Sequence, residues 1–147
     1  MSGDTVNASA GLALVWPVLV QVLLTLVILG LLGRARVAAV RAKRVKIATV
    51  ALSNEGWPDD VRRFSNNLAN QFETPVLFYV LVAAAIHVGA TGWPMVVLAW
   101  IFVASRVAHA VVHTTSNHVL TRFRIFLVGL AALGAMWLAV AIRLFVG

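Results

Sequence analysis

Residues 11–32 read GLALVWPVLVQVLLTLVILGLL, a run without a single charge. A helix of that length crosses the roughly 30 Å hydrocarbon core of a bilayer. The stretch is therefore expected to span a membrane. Pro17 lies in the first turns, where a helix tolerates proline best, and Trp16 beside it suits the membrane interface. The start, MSGDTVNASA, carries Asp4 as its only charge and has no basic region, so a cleaved signal peptide is not expected.

The whole chain reads the same way. Of its 147 residues, 61% are hydrophobic and only 12% are charged, with a mean hydropathy of +0.93. A soluble domain of this size has too little interior to hide so much apolar surface. An ordinary soluble enzyme and a disordered chain are both excluded. Cysteine is absent, which removes disulfides, thiolate metal centres and a cysteine nucleophile.

Working outward from the first span, taken as 11–33, three more apolar stretches follow at about 63–88, 93–113 and 120–146. Short links between them predict one all-α domain, an integral membrane four-helix bundle. The net charge of +7 is unevenly placed. Residues 34–63 hold Arg34, Arg36, Arg41, Lys43, Arg44, Lys46, Arg62 and Arg63, eight of the twelve basic residues. This segment reads as a solvated loop that follows the positive-inside rule and attracts anionic headgroups. No aromatic residue interleaves the charges of residues 34–46, so nucleic acid is not an expected partner. The next link, 89–92, is neutral, and the last is flanked by Arg122 and Arg124. Loops 34–62 and 114–121 are therefore expected to be cytoplasmic, with both termini on the other side. The compact chain points to a bacterial inner membrane.

Chemistry is expected where polar groups enter lipid depth. An ionisable residue within a membrane helix costs ~2.5–3.5 kcal/mol on insertion scales and ordinarily faces a partner or a cavity. Asn66, Asn70 and Glu73, spaced four and three apart, share one face of the second span and precede Pro75. Such residues either clamp helices together or hold a cationic group. Arg106, His109 and His113 share a face of the third span, and Arg106 is the expected ion-pair partner of Glu73. Histidines four apart are a weak zinc pattern without a second strong pair of ligands, so no metal is expected. Arg122 and Arg124 open the fourth span. Two residues apart on a helix they diverge by about 200°, so only one of them faces inward.

NQFETP at 70–75, SRVAHAVVH at 105–113 and Arg122 sixteen residues after Arg106 together resemble the MAPEG family, membrane-associated proteins in eicosanoid and glutathione metabolism. The resemblance covers about residues 10–145. It implies a homotrimer with sites between protomers near the cytoplasmic face. It further implies a membrane-bound glutathione-dependent transferase or peroxidase acting on a lipophilic small molecule. Carried over residue by residue, Asn70, Glu73 and Arg106 match glutathione contacts, and Arg122 matches the arginine that holds the thiolate. The chain departs from the pattern at Asn66 and Ala69, where members carry basic residues, and at His113, where a tyrosine is usual. Arg62 or Arg63 lies one turn below Asn66, and His113 remains a candidate hydrogen-bond donor or proton acceptor, with His109 beside it in the ligand-binding set. The alternative reading is a non-catalytic binder of lipid or small ligand, or an accessory subunit of a larger membrane complex.

Overall fold

The computed structural model describes residue 9, residues 11–51 and residues 53–146. The stretch read above as lacking a signal peptide's basic region lies largely outside these residues. The elements are helices α1 (Val15–Arg41), α2 (Ile47–Val50), α3 (Asp59–Asn70), α4 (Thr74–His87), α5 (Trp93–Thr114) and α6 (Val119–Val146). Four segments are long and apolar enough to cross a membrane: Gly11–Arg41, Asp59–His87, Trp93–Thr114 and Val119–Val146.

The first helix continues to Arg41, two turns beyond the expected end at 33. The reason is local. Residues 34–41 (RARVAAVR) hold neither glycine nor proline, and alanine and arginine are good helix formers. The helix stops at Lys43, which takes φ +54 while Arg44 N–H bonds back to the Ala39 carbonyl at 3.0 Å. Arg34, Arg36 and Arg41 thus stand on a helix rather than in a loop.

The following segment folds back onto this extension. Trp57 is buried against Leu32, Ala39 and Val61. The guanidinium of Arg36 lies 5.1 Å from the centroid of the Trp57 ring and donates to Ser65 Oγ at 3.1 Å. Arg44 forks onto Asp60 at 3.2 and 2.9 Å, an exposed pair that adds little stability.

The second span is broken at residues 71–73. Pro75 has no N–H to give the Gln71 carbonyl, and its ring clashes with that carbonyl in a continuous helix. α3 therefore ends at Asn70, and α4 restarts with Pro75 in its first turn.

α5 is the central helix and packs most extensively on α6. The main core joins Phe78 and Val82 of α4, Ala99, Phe102 and Val103 of α5, and Leu133, Met136 and Val140 of α6. Phe78 stacks on Phe102 at 4.6 Å. Outward faces stay apolar, with Leu19, Leu23, Leu26 and Leu29 of α1 and Leu127, Leu138 and Ile142 of α6 all exposed. Such a surface requires lipid or another protein as its solvent.

Gly129 sets the α5–α6 distance, because a Cβ built there meets Ser105 Oγ well inside contact distance. Gly134, one face around the same helix, has nothing within 4 Å of such a Cβ. Gly129→Ala is expected to destabilise the bundle by about 1–3 kcal/mol through overpacking, despite the better helix propensity of alanine. Gly134→Ala, measured by thermal unfolding in the same detergent, is expected to show no loss.

Candidate functional site

Three elements meet at the break in the second span. Because α3 stops at Asn70, its carbonyl accepts a hydrogen bond from Arg106 Nη2 at 2.8 Å. Arg106 is only 2% exposed, so this bond pairs one nitrogen of a cation that α5 carries into the interior, while its Nε has no hydrogen-bond partner among the described residues. The expected ion pair with Glu73 does not form within the chain. Glu73 is exposed, and the described ion pairs within 4.0 Å involve Arg44 and Arg62 instead. The break is the physical cause, since it frees a backbone acceptor directly beside the guanidinium. Glu73 still acts on Arg106 through space.

Arg122 comes to the same place from the first turn of α6. Its Nη1 donates to Asn117 Oδ1 at 2.7 Å, and its Nε is buried without a hydrogen-bond partner among the described residues. Arg124 is exposed, as the divergence of two residues on a helix requires.

A cleft of about 290 Å³ is lined by Asn70, Glu73, His109, Val119, Arg122, Phe123 and Phe126. The structure therefore brings together Asn70, Glu73, His109 and Arg122, with Arg106 one hydrogen bond behind Asn70. His113 does not line the cleft. It is buried behind His109, the two rings edge-on at 5.7 Å, and each has a buried Nδ1 without a hydrogen-bond partner among the described residues. Both imidazoles lie in the field of Arg106 and Arg122.

Asn66 stands apart from the cleft. It is exposed, its side chain meets Asn54 at 3.5 Å, and its carbonyl accepts from Asn70 Nδ2 at 2.8 Å. Arg62 and Arg63 do not replace it, because Arg62 bonds Asp59 at 3.2 Å and Arg63 bonds the Thr115 carbonyl at 3.3 Å.

Arginine, carboxylate, amide and imidazole thus converge at one end of an apolar bundle, with phenylalanines on one wall. A comparison with protein families decides what bundle this is. The model of the MAPEG family matches residues 14–142.

The chain belongs to the MAPEG family.

Comparison with curated proteins and with solved structures gives no match. This MAPEG chain is an integral membrane protein of the family named for glutathione and eicosanoid metabolism, with four membrane-spanning helical segments.

Three polar residues of the MAPEG chain escaped the reading of its sequence as parts of one structure. Asn67, Gln71 and Gln21 are each at most 1% exposed. Gln21 Nε2 donates to Gln71 Oε1 at 3.0 Å, Gln71 Nε2 to Asn67 Oδ1 at 3.0 Å, and Asn67 Nδ2 to the Ala110 carbonyl at 3.2 Å. This ladder ties α1, α3 and α5 at the level of the cleft. Its signal in the sequence was the four-residue spacing of Asn67 and Gln71 opposite an isolated glutamine in an otherwise apolar span. Asn117, within the 114–121 link, likewise carries no mark of its position in the sequence.

Proposed function

We propose that the protein is a membrane-bound glutathione-dependent transferase, with peroxidase-like chemistry at the same site, acting on lipophilic electrophiles as a homotrimer. The observation that carries this reading is the cleft itself, in which Arg122, Glu73, Asn70 and His109 share one wall system. Glutathione is a peptide with carboxylates, an ammonium group and a thiol. The lining fits those groups: Glu73 suits the ammonium, Arg122 an anion, Asn70 and His109 neutral hydrogen bonds. Arg106 behind the wall adds a second positive charge, matching an overall anionic ligand. A bound thiol supplies the nucleophile. A guanidinium beside it favours the thiolate over the thiol and so raises the reactive fraction at neutral pH. The cleft is open in the single chain, with Glu73, Val119 and Phe123 exposed, and a neighbouring protomer is the cover we assign to it. We place loops 34–62 and 114–121 on the cytoplasmic side of a bacterial inner membrane, following the basic residues.

The apolar partner has its own space. Further along α6, between it and α4, lies a second cleft of about 410 Å³, lined by Leu77, Val80, Leu81, Leu130, Leu133, Gly134 and Trp137. On α6 the positions 122, 126, 130, 133 and 137 form one helical stripe. This arrangement suits a substrate whose reactive atom sits near Arg122 and whose apolar chain follows the stripe. The test is glutathione conjugation of aryl halides carrying short and long alkyl tails. Gly134→Leu has room to fold and fills the groove. It is expected to raise KM for the long-tailed substrate about tenfold or more, the scale of one or two displaced methylene contacts, and to spare the short one. Equal effects on both would show that the groove does not hold the chain.

The alternative, a non-catalytic binder of lipid or small ligand or an accessory subunit, draws on one feature. Among the described lining residues of the cleft, Arg122 is the only arginine. Full retention of glutathione binding without any conjugation would favour it.

A further inference from the structure

Arginine near a membrane interface tends to extend its guanidinium toward headgroups and water. Arg122 has that freedom, since it stands only three residues into α6 and is half-buried. The positive end of the helix dipole at the same turn also repels a cation. Something must hold the guanidinium over the cleft.

Asn117 is built to do this. It adopts φ +52, a left-handed conformation that asparagine tolerates better than most residues. Its backbone N–H bonds the Val112 carbonyl at 2.7 Å and so ends α5. The turn directs its side chain back toward α6, where Oδ1 accepts from Arg122 Nη1 at 2.7 Å. The link itself is anchored, because Arg63 of α3 donates to the Thr115 carbonyl at 3.3 Å. A bond of this kind between a charged donor and a neutral acceptor is short and directional. It occupies one edge of the guanidinium and leaves other N–H groups for a ligand.

Resting on the reading of Arg122 as the group that holds a thiolate, we infer that Asn117 is a positioning residue, which keeps the Arg122 guanidinium in the cleft and thereby sets the acidity of the bound thiol. Asn117 does not line the cleft and acts only through Arg122.

The test is the pH midpoint of the ultraviolet thiolate band of glutathione bound to the full chain in detergent. Asn117→Gly keeps the left-handed turn and removes the acceptor. It is expected to raise the midpoint by about one unit, about tenfold less thiolate at pH values below the midpoint, with little change in melting temperature. In an Arg122→Ala background the same change is expected to leave the midpoint unmoved, because the residue it acts through is gone. An unchanged midpoint in Asn117→Gly, beside a shifted midpoint in Arg122→Ala, overturns the inference and leaves the site reading standing. An equal shift in both backgrounds also overturns it, since that is the mark of a structural role. No thiolate band in the wild type overturns the site reading and this inference together.

Discussion

Arg122→Ala is expected to remove the glutathione thiolate at neutral pH and to abolish conjugation, while native mass spectra show the same oligomer as wild type. Arg122 lines the cleft, and its guanidinium is held there by Asn117 at 2.7 Å. Loss of one to three pKa units of thiolate stabilisation corresponds to about 1.4–4 kcal/mol, or a tenfold to thousandfold smaller reactive fraction. The cost to folding is expected to be small, because Arg122 bonds only Asn117 among the described side chains and sits at a helix end. Arg124→Ala is the matched control. Arg124 is exposed and absent from the cleft, so activity and thiolate absorbance are expected to stay near wild type. If Arg122→Ala conjugates as well as wild type, Arg122 is not the thiolate-holding group, and His109, which lines the same cleft, becomes the group to test.

The largest stability effect is expected one residue away from a position that should barely matter. Asn67→Leu removes two hydrogen bonds from the middle of a buried ladder, leaving Gln71 Nε2 only the longer bond to the residue 67 carbonyl at 3.4 Å and the Ala110 carbonyl only its bond from Thr114 Oγ1 at 2.9 Å. Each buried hydrogen bond lost costs about 0.5–1.5 kcal/mol and the under-paired polar atoms add to it, so a loss of about 2–4 kcal/mol is expected. Gln21→Leu and Gln71→Leu, combined, should cost less than the sum of the two, because they share one hydrogen bond. Asn66→Ala, by contrast, changes an exposed side chain and is expected to stay within about 0.5 kcal/mol. Thermal unfolding of the five variants in one detergent decides between them. A larger loss for Asn66→Ala than for Asn67→Leu would contradict the buried ladder.

This contrast shows where the sequence was legible and where it was not. The charge-free run at 11–32 and the apolar stretches after it reveal a membrane bundle, because lipid demands long uninterrupted helices. The family was legible from NQFETP, SRVAHAVVH and Arg122, and the match over residues 14–142 agrees. Spacing also gathered Asn70, Glu73 and Arg106 near one another, but it could not choose their bonds. Whether Arg106 meets Glu73 or a carbonyl depends on where Pro75 breaks the helix, a three-dimensional outcome of one backbone clash. Asn66 and Asn67 are adjacent in sequence and about 100° apart on the helix. Which of them faces α5 is set by packing against Ala110, not by composition. The helical extension of α1 to Arg41 was hidden for a different reason: arginines that signal a cytoplasmic loop are also good helix formers. Asn117 was invisible because its role depends on a left-handed turn that no pattern of hydrophobicity encodes.

The central claim is that the cleft between α3, α5 and α6 binds glutathione and holds it as thiolate. Titrating glutathione into the purified wild-type protein at neutral pH, with heat and the ultraviolet difference spectrum followed together, tests it most directly. The account predicts saturable binding and a thiolate band that grows in step with it, and S-methyl glutathione binding without the band. Absence of both heat and band in the folded protein would contradict it.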